Sequence, residues 1–464
     1  MKSSLADLQP WISQAALTAD AAFDGVSTDS RSVGAGNLFV ALRGERFDAH
    51  DFLHEVAAKG VAAVVVERLP EEWKLPALVV PDTRVVLREM ATQWRRQFAL
   101  PVIGVTGSNG KTTVKEMIAS ILDAAFGKEQ YLATRGNLNN DIGVPLTVFR
   151  LHAGLKAAVV ELGMNHPGEI AVLSAVAQPT VGLVNNAQRE HQEFMESVEA
   201  VAQENGAVIQ SLPAGGTAVF PADDTYTPLW RGYALGTAGR KVLTFGLTAD
   251  ADVKGKYRAN DFGSDLSVTA GQERFNVKLA AAGEHNVRNA LAATACTLAI
   301  GVPVDAIVRG LEAFAPVNGR LQRKTATTGA LVIDDTYNAN PDSVRAAIDV
   351  LAAVTAPRVL ILGDMGEVGS EGRRFHEEIG AYARSRGIDQ LLAMGDLARH
   401  AIAAFGPAGA HFEDIDSLNR TAERLATPNA TVLVKGSRFM KMERVVNHLV
   451  NPQMHLQKQV QEAH

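Results

Sequence analysis

The stretch Pro101-Val-Ile-Gly-Val-Thr-Gly-Ser-Asn-Gly-Lys-Thr-Thr113 carries the strongest fold signal in the chain. Its first half is a short apolar run that leads directly into glycines, as buried parallel strands do. After it, Val114, Met117, Ile118 and Ile121 have the spacing of one helix face. A strand, a glycine-rich turn and a helix in this order predict one βα unit of a parallel sheet.

The turn itself has the composition of a phosphate-binding loop. Gly107 and Gly110 allow backbone N–H groups to turn toward phosphate oxygens, and the helix N-terminus favours the same anion. Lys111 can reach the β- and γ-phosphates, and Thr112 can hold Mg²⁺. The general spacing of such loops has glycine where this chain has Val105. A glycine-rich turn with an incidental lysine is the alternative, which the flanking strand and helix disfavour.

Short apolar runs like the first one recur along the chain. They lie at residues 157–162, 181–184, 218–220, 331–333, 358–362, 390–393 and 431–434, with predicted helices at 343–353 and 397–405. Before residue 100, two predicted strands at 38–42 and 61–66 flank a helix at 51–59, and residues 93–101 read as a connection. This pattern predicts an α/β protein whose sheets are largely parallel. Because residues 315–319 resemble a linker, we expect domains at 1–98, 99–317 and 318–464.

Length and composition agree with this division. A chain of 464 residues corresponds to about three domains. The net charge of −6 argues against nucleic-acid binding through a bulk basic surface. The single cysteine, Cys296, excludes an intramolecular disulfide and reads as a small core residue. Because we find neither a signal peptide nor a spanning segment, we expect a cytoplasmic protein without membrane insertion.

Four further residues are candidates for ligand contacts. Glu161 ends one predicted strand and His191 follows another, so both point toward the crevice beyond the carboxyl ends of a parallel sheet. A carboxylate there suits a hard cation, although Glu161 could equally cap a helix and a lone histidine is more often solvated. Asn286 and Asn289 share one helix face, and their amides could either read a purine edge or cap the helix.

In chain order, these features resemble the Mur ligase family. The matching features are the phosphate loop, Glu161, His191, the His285-Asn-x-x-Asn289 pattern and Gly319-Arg-Leu321. The resemblance implies an ATP-dependent ligase of peptidoglycan precursor synthesis. It also implies three domains: a small α/β nucleotide-sugar-binding domain, a central parallel-sheet P-loop ATPase domain and a C-terminal Rossmann-like domain.

Further motifs are similar to one branch of this family, which adds D-alanyl-D-alanine to UDP-N-acetylmuramoyl-tripeptide. They are Thr28-Asp-Ser-Arg31, residues 44–52, residues 136–145, residues 333–341, residues 362–369 and Lys435-Gly-Ser-Arg438. The resemblance extends from about residue 26 to about residue 445. It implies a monomeric enzyme whose reaction passes through an acyl phosphate on the substrate. No side chain of the enzyme would act as a nucleophile.

The resemblance also implies a role for each matching residue. ATP would be bound by Gly107, Ser108, Asn109, Gly110, Lys111, Thr112, Thr113, Asn286, Asn289, Arg320 and Asp335. Magnesium would be held by Thr112, Glu161 and His191, and the catalytic residues would be Lys111, Glu161 and His191. The uridine diphosphate part of the substrate would be bound by Ser27, Thr28, Asp29, Ser30, Arg31, Gly44, Asp48 and His50. The reacting peptide ends would lie near Asn137, Asn139, Asn140, Tyr337, Asn338, Asn340, Lys435, Ser437 and Arg438.

One position departs from the family pattern. Mur ligases usually have a lysine there that CO₂ carbamylates and that helps to hold the second magnesium, whereas this chain has Asn205. An amide cannot take up CO₂ and brings no charge. On a helix, the adjacent Glu204 would point about 100° away, while Glu193 or Glu196 could compensate. We therefore predict an enzyme that works without a carbamate and binds its second magnesium more weakly.

Two other functions remain open from sequence alone. Another ligase with the same ATPase core, such as an amino-acid-adding Mur ligase or a folylpolyglutamate synthetase, would keep the reaction and change the substrate. A nucleotide-binding scaffold without catalysis is favoured only by Asn205. The sequence does not distinguish lysine from diaminopimelate at the third position of the acceptor peptide.

Overall fold

The structure, a computed structural model, describes residues 1–44, 47–190, 192–248, 250–260 and 262–451. Three principal sheets follow one another along these residues, and each is largely parallel. The predicted α/β fold class is confirmed. No helix in these ranges is both long and apolar enough to cross a membrane.

The first region contains a sheet of short strands. Its elements are β1 (Lys2–Ser4), α1 (Leu5–Leu8), β2 (Ala16–Leu17), β3 (Ala22–Asp24), β4 (Val26–Ser27), β5 (Leu38–Val40), α2 (Leu53–Ala58), β6 (Ala63–Val66), β7 (Ala77–Val79) and α3 (Thr83–Arg95). The sheet order is β2-β7-β6-β5-β4, parallel except at β2–β7, while β1 pairs with β3. The predicted helix at 51–59 begins as a 3-10 turn, Ala49–Phe52, because Asp48 caps the backbone N–H of His50. Residues 93–95, predicted as connection, form the last turn of α3.

The second region forms a larger sheet around β8. Its elements are β8 (Val102–Thr106), α4 (Lys111–Phe126), β9 (Tyr131–Ala133), α5 (Gly143–Val148), β10 (Ala157–Glu161), α6 (Glu169–Ala177), β11 (Val181–Val184), α7 (Val198–Gln210), β12 (Thr217–Pro221), α8 (Thr227–Leu235), β13 (Lys241–Gly246), β14 (Val253–Asn260), β15 (Gly263–Ala270), β16 (Glu273–Leu279), α9 (Glu284–Ala299) and α10 (Val304–Ala313). In the order β16-β15-β14-β13-β12-β11-β8-β10-β9, β8 lies between β11 and β10 and is parallel to both. The antiparallel ribbon β14–β16, at one edge of this sheet, was not predicted from the sequence.

The third region is a doubly covered sheet. Its elements are β17 (Gln322–Thr325), β18 (Leu331–Asp335), α11 (Pro341–Ala352), β19 (Arg358–Gly363), α12 (Gly372–Ser385), β20 (Gln390–Met394), α13 (Arg399–Phe405), β21 (Gly409–Phe412), α14 (Ile415–Leu425), β22 (Thr431–Lys435) and α15 (Glu443–Val450). The order is β17-β18-β22-β19-β20-β21, parallel except at β17–β18. Helix α11 begins two residues earlier than predicted because Asn340 caps it and Pro341 suits its first turn.

The central sheet has a core on each face. On one face, α4, α9 and α10 pack against the strands, and Cys296 is fully buried among them, which raises the pKa of its thiol. On the other face, α6 and α7 share a core with α3 and α5. Because α3 belongs to the first region, this shared core fixes that region against the central sheet. The prediction that Cys296 is a core residue is confirmed.

Candidate active site

A cavity of about 1150 Å³ lies at the carboxyl ends of strands from two sheets. Residues that follow β8, β10 and β11 form one wall, and residues that follow β18, β19 and β22 form the opposite wall. Two arginines of α3 complete the lining from the first region. This is where parallel sheets bind ligands, because loops from neighbouring strands converge there.

The turn after β8 approaches its neighbours so closely that two positions require glycine. Gly110 has a φ of +83°, and a Cβ there would lie 2.5 Å from Asn289 Oδ1 and 2.7 Å from Asn185 Nδ2. Gly107 has a φ of +130°, and its Cβ would lie 3.0 Å from the backbone nitrogen of Asn185. The turn is therefore held open for a ligand on one side and packed against asparagines on the other.

Lys111 begins α4 and folds back over the turn. Its Nζ donates to the carbonyl oxygens of Gly107, at 2.5 Å, and Ser108, at 3.2 Å, and lies 3.3 Å from Glu190 Oε2. Only 15% of its side chain is exposed. A cation is thus placed inside the turn, where phosphate oxygens would otherwise meet only backbone dipoles.

Glu161, the last residue of β10, lies beside the same turn. Its Oε1 accepts from Thr112 Oγ1 at 3.1 Å and from Asn139 Nδ2 at 2.8 Å. Its Oε2 is buried and has no hydrogen-bond partner within the described part of the chain. A buried carboxylate oxygen without a partner is costly, so the site has the character of one that receives a cation.

The other predicted metal ligand, His191, lies outside the described residues. Among the residues that are described, no group of three or more His, Cys, Asp or Glu side chains is arranged to hold a metal. Glu161 and Thr112 are therefore the two predicted metal ligands that the structure brings together.

Asn286 and Asn289 lie on the cavity wall, but their amides are used within the protein. Asn289 Nδ2 donates to Asn286 Oδ1 at 3.2 Å, and Asn289 Oδ1 accepts from Asn185 Nδ2 at 2.9 Å. Asn286 Nδ2 donates to the carbonyl of Ala282 at 2.8 Å. The expected shared helix face is confirmed, and it links α9 to the phosphate loop.

Arg320 reaches across the cavity from the third region. Its guanidinium donates to Thr112 Oγ1 at 2.9 Å and lies 4.2 Å from the centre of the Tyr337 ring. Behind it, Asp335 accepts from the backbone N–H of Leu321 at 3.1 Å and from Lys435 Nζ at 2.5 Å. A buried cation–carboxylate pair therefore supports the loop that presents Arg320 to the phosphate loop.

Most of the residues predicted near the peptide ends also line this cavity. They are Asn137, Asn139, Asn140, Tyr337, Asn338, Asn340, Lys435 and Arg438. Ser437 lies behind the wall, where its hydroxyl accepts from the backbone N–H of Gly366 and donates to the carbonyl of Ala339. Asn340 Nδ2 donates to Asn109 Oδ1 at 2.9 Å, which joins the cap of α11 directly to the phosphate loop.

The residues predicted to bind uridine diphosphate do not line this cavity. None of Ser27, Thr28, Asp29, Ser30, Arg31, Gly44, Asp48 and His50 is among the described residues of its wall. Arg31 pairs with Asp29, which lowers the pKa of that carboxyl to about 2. Both ring nitrogens of His50 are used internally, by Asp48 Oδ1 at 2.6 Å and by the N–H of Glu67 at 2.8 Å.

Three family models match successive parts of the chain. They are the Mur ligase family, catalytic domain, at residues 22–95, the Mur ligase middle domain, at residues 105–297, and the Mur ligase, glutamate ligase domain, at residues 319–438. A relative from Escherichia coli (strain K12), UDP-N-acetylmuramoyl-tripeptide–D-alanyl-D-alanine ligase, is 41% identical over 93% of this chain and 94% of its own length. The chain belongs to the Mur ligase family.

Solved structures of Mur ligases superpose over most of the chain. A crystal structure of MurF from Acinetobacter baumannii superposes with a TM-score of 0.90 at 34% identity and covers 97% of this chain and 99% of its own. MurF ligase from Thermotoga maritima, solved in complex with ADP, superposes with a TM-score of 0.82 at 27% identity and covers 92% and 96%. The family resemblance predicted from the motifs is confirmed.

Asn205, which we predict to stand at the usual lysine position of Mur ligases, is fully buried in α7. Its Oδ1 accepts from the backbone N–H of Gly107 at 2.9 Å and from the Thr106 hydroxyl. Glu204 instead caps α6, accepting from the N–H groups of Gly168 and Ile170 at 2.8 Å each. Asn205 therefore supports the phosphate loop from behind and is not part of the cavity wall.

Several residues of this Mur ligase site were not found from the sequence. Arg84 and Arg88 line the cavity from one face of α3, and Arg84 donates to Asp141 Oδ1 at 3.0 Å. Their spacing of four residues was an available signal, but nothing in the sequence shows which element α3 faces. Arg189 and Glu190 precede His191 in a polar loop, and nothing in the local sequence distinguishes them from other polar loop residues.

Proposed function

We propose that this protein is an ATP-dependent ligase that joins D-alanyl-D-alanine to UDP-N-acetylmuramoyl-tripeptide. The observation that carries the proposal is a phosphate loop in which Lys111 folds over the turn and Thr112 contacts Glu161, in a chain that is 41% identical to a ligase of that name. ADP, phosphate and UDP-N-acetylmuramoyl-pentapeptide would be the products. The first, second and third domains, at 1–98, 99–317 and 318–464, would carry the sugar nucleotide, ATP and the dipeptide.

ATP would bind with its phosphates in the turn between β8 and α4. The Thermotoga maritima relative was solved in complex with ADP, which supports nucleotide binding in this family. Lys111 already lies against the carbonyls of Gly107 and Ser108, so a short rotation of its side chain would bring Nζ onto a phosphate. Asn286, Asn289, Arg320 and Asp335 stay as predicted contacts to the rest of the nucleotide.

Magnesium fits the residues next to the phosphate loop. Glu161 Oε2, which has no hydrogen-bond partner among the described residues, and the hydroxyl of Thr112 are oxygen ligands of the kind that this ion prefers. His191 would be a further ligand. When bound, magnesium would neutralise charge on the phosphates and align them.

The reaction would bring a peptide carboxylate against the γ-phosphate of ATP. The carboxylate oxygen forms a bond to phosphorus while the bond to the β-phosphate oxygen breaks, giving ADP and an acyl phosphate. Because carboxylate and phosphate repel each other, Lys111 and Arg320 would offset their charge. The amine of D-alanyl-D-alanine then attacks the acyl carbon, loses a proton and expels phosphate.

Water would destroy the acyl phosphate, so the site must be closed while it exists. Walls from three regions surround the cavity, and Arg320 and Asn340 of the third region already contact the phosphate loop of the second. This arrangement supports a ligase over a hydrolase, because the domains that carry the two amide partners close over one space.

We further propose that the enzyme needs no carbamate. Asn205 stands at the position predicted for the family's lysine. Its side-chain oxygen accepts hydrogen bonds from the backbone N–H of Gly107 and from the Thr106 hydroxyl. Bicarbonate should leave turnover unchanged, and activity should persist in CO₂-depleted buffer. Strong activation by bicarbonate would contradict this proposal. Compensation by Glu193 or Glu196 stays a prediction.

The test of function is a product assay. The protein is incubated with Mg-ATP, D-alanyl-D-alanine and UDP-N-acetylmuramoyl-tripeptide. The tripeptide is supplied in its lysine form and in its diaminopimelate form, and the mass of the product is determined by mass spectrometry. The expected product is the pentapeptide, with one ADP released for each amide formed. Parallel incubations offer single amino acids with shorter UDP-peptides, or folate with glutamate. ADP release only in one of those parallels would overturn the proposal in favour of another ligase.

A further inference from the structure

The loop between β11 and α7 is tied to the third domain by Arg189. Its guanidinium lies 2.6 Å from Asp342 Oδ1 and 2.7 Å from Glu378 Oε2. Its backbone N–H also donates to Asp342 Oδ2, at 2.9 Å, and the guanidinium lies 5.3 Å from the centre of the Phe375 ring. One side chain of the central domain thus contacts both α11 and α12.

These contacts have the features that make an ion pair matter. The side chains of Arg189, Asp342 and Glu378 are only 22%, 23% and 31% exposed. The hydrogen bonds to each carboxylate are bidentate, the geometry in which arginine pairs are strongest. The hydrogen bond from Arg189 also holds the pKa of the Glu378 carboxyl below its usual value. Exposed single pairs seldom contribute measurably, but this partly buried group should.

The same loop holds the phosphate loop on its other side. The backbone N–H of Ser108 donates to the carbonyl of Asn186 at 3.1 Å, and the N–H of Gln188 donates to Ser108 Oγ at 2.8 Å. Glu190, next to Arg189, lies 3.3 Å from Lys111 Nζ. A shift of this loop would therefore move both the backbone and the cation that face the phosphates.

We propose that Arg189 is a positioning residue that transmits docking of the third domain to the phosphate loop. With Arg189 held by Asp342 and Glu378, the loop 185–190 fixes Ser108 and the carboxylate next to Lys111. Without that hold, the phosphate loop loses its defined shape although its own sequence is intact. ATP affinity thereby depends on whether the third domain is docked.

A second contact between this loop and the third domain lies beyond Arg189. The backbone N–H of Glu193 donates to the carbonyl of Glu367 in the third domain, at 3.2 Å. Asn109 and Asn340 join the phosphate loop to α11 directly, at 2.9 Å. Arg189 is the charged member of this set, so its contribution should weaken with salt, whereas the amide contacts should not respond.

The test compares Arg189→Met with a matched control, Arg358→Met. Arg358 is similarly buried, with 20% of its side chain exposed, and pairs with Asp389 inside the third domain, away from the cavity. For Arg189→Met we expect kcat/KM for ATP to fall about ten- to a hundredfold, the scale of a displaced reacting group. Amide hydrogen exchange at Ser108 and Gln188 should accelerate, while Arg358→Met should change neither quantity.

Further variants keep the test decisive. If Arg189→Met does not fold, Glu378→Gln removes the negative charge of one partner from the opposite side, and it should also raise the KM for ATP. Arg189→Lys keeps the positive charge but cannot form bidentate hydrogen bonds to the carboxylates. It should therefore lose less kcat/KM for ATP than Arg189→Met does. Wild-type KM for ATP and unchanged exchange at Ser108 in both Arg189→Met and Glu378→Gln would overturn the proposal.

The inference rests on the proposed function only where turnover is measured. Hydrogen exchange and direct ATP binding can be measured without either of the two peptide substrates. If the wild-type protein makes no amide but Arg189→Met still loosens the phosphate loop and weakens ATP binding, the proposed function fails and the positioning role stands. If the wild-type protein forms the amide and Arg189→Met binds ATP normally, the proposed function stands and the positioning role of Arg189 fails.

Discussion

Replacing Asn205 by alanine should loosen the phosphate loop from behind. The Asn205 side chain is fully buried, and its Oδ1 accepts from the N–H of Gly107 and from the Thr106 hydroxyl. The N–H of Gly107 fixes the orientation of the amide, since only an oxygen can accept there. Asn205→Ala removes this shared acceptor and leaves both donors inside the protein.

The size of the effect follows from the balance of buried polar groups. A buried donor left without an acceptor costs about 1–3 kcal/mol, and the Gly107 N–H has no freedom to turn elsewhere. The Thr106 hydroxyl can rotate, so its loss is smaller. Asn205 Nδ2 has no partner among the described residues, and its removal offsets part of the cost. Alanine's better helix propensity returns at most about 0.7 kcal/mol. We expect a net loss of about 1–2 kcal/mol, concentrated at Gly107.

The assay must separate a loosened loop from a weaker fold. Steady-state kinetics at saturating peptide and dipeptide give KM for ATP and kcat, and hydrogen exchange reports the Gly107 amide. Asn419→Ala is the control, because Asn419 is also buried in a helix but lies in the third domain and away from the cavity. We expect Asn205→Ala to raise KM for ATP about tenfold, as about 1.4 kcal/mol would, while Asn419→Ala leaves it unchanged.

The reasoning is refuted by one clear result. If Asn205→Ala shows wild-type KM for ATP and wild-type exchange at Gly107, the amide oxygen does not hold the loop. Loss of thermal stability alone, equal in Asn205→Ala and Asn419→Ala, would also count against a local effect.

Three further changes test other parts of the site. Lys111→Ala should nearly abolish turnover while circular dichroism stays that of the wild type, and substantial residual ligase activity would contradict the role of Lys111. Gly110→Ala should abolish ATP binding, because its Cβ would lie 2.5 Å from Asn289 Oδ1, whereas Gly127→Ala, at a similar φ of +88° with open space around it, should only reduce stability. Burial lowers the pKa of His376, whose Nε2 accepts from the N–H of Met365, so the neutral ring stabilises the fold above the unfolded pKa of about 6.5. Stability should therefore fall as pH drops below that value, and His376→Gln should flatten this loss in thermal unfolding between about pH 7 and pH 5.

The sequence predicted those elements whose signal is local. The run before Gly107 was predicted to form a strand at 101–106 and forms β8 at Val102–Thr106, because a short apolar run between breakers has few alternatives. The start of α13 was predicted at 397 but lies at Arg399, since the N–H groups of Leu397 and Ala398 donate to Asp364. That carboxylate is more than thirty residues away in the sequence, so the residues around the helix start do not indicate where the helix begins.

The parts that the sequence could not predict depend on distant partners. Strands β14–β16 pair as antiparallel neighbours, but polar residues on their exposed face hide the apolar pattern. The shared helix face of Asn286 and Asn289 was predicted, but the hydrogen bond from Asn185 to the Asn289 oxygen joins residues that are 104 positions apart. Arg189 meets Asp342 over 153 positions of sequence, and only the packed domains bring them together.

The phosphate loop is shaped by contacts from every side. Asn205 holds Gly107 from behind, Glu190 faces Lys111 in front, and Arg320 of the third domain reaches Thr112. Arg320 belongs to the third domain, and our proposal for Arg189 makes the loop that carries Glu190 depend on that domain as well. A chain with a net charge of −6 has no general attraction for ATP, so these local groups must supply it. Because the same docking that completes them also closes the cavity, tight ATP binding and exclusion of water should occur together.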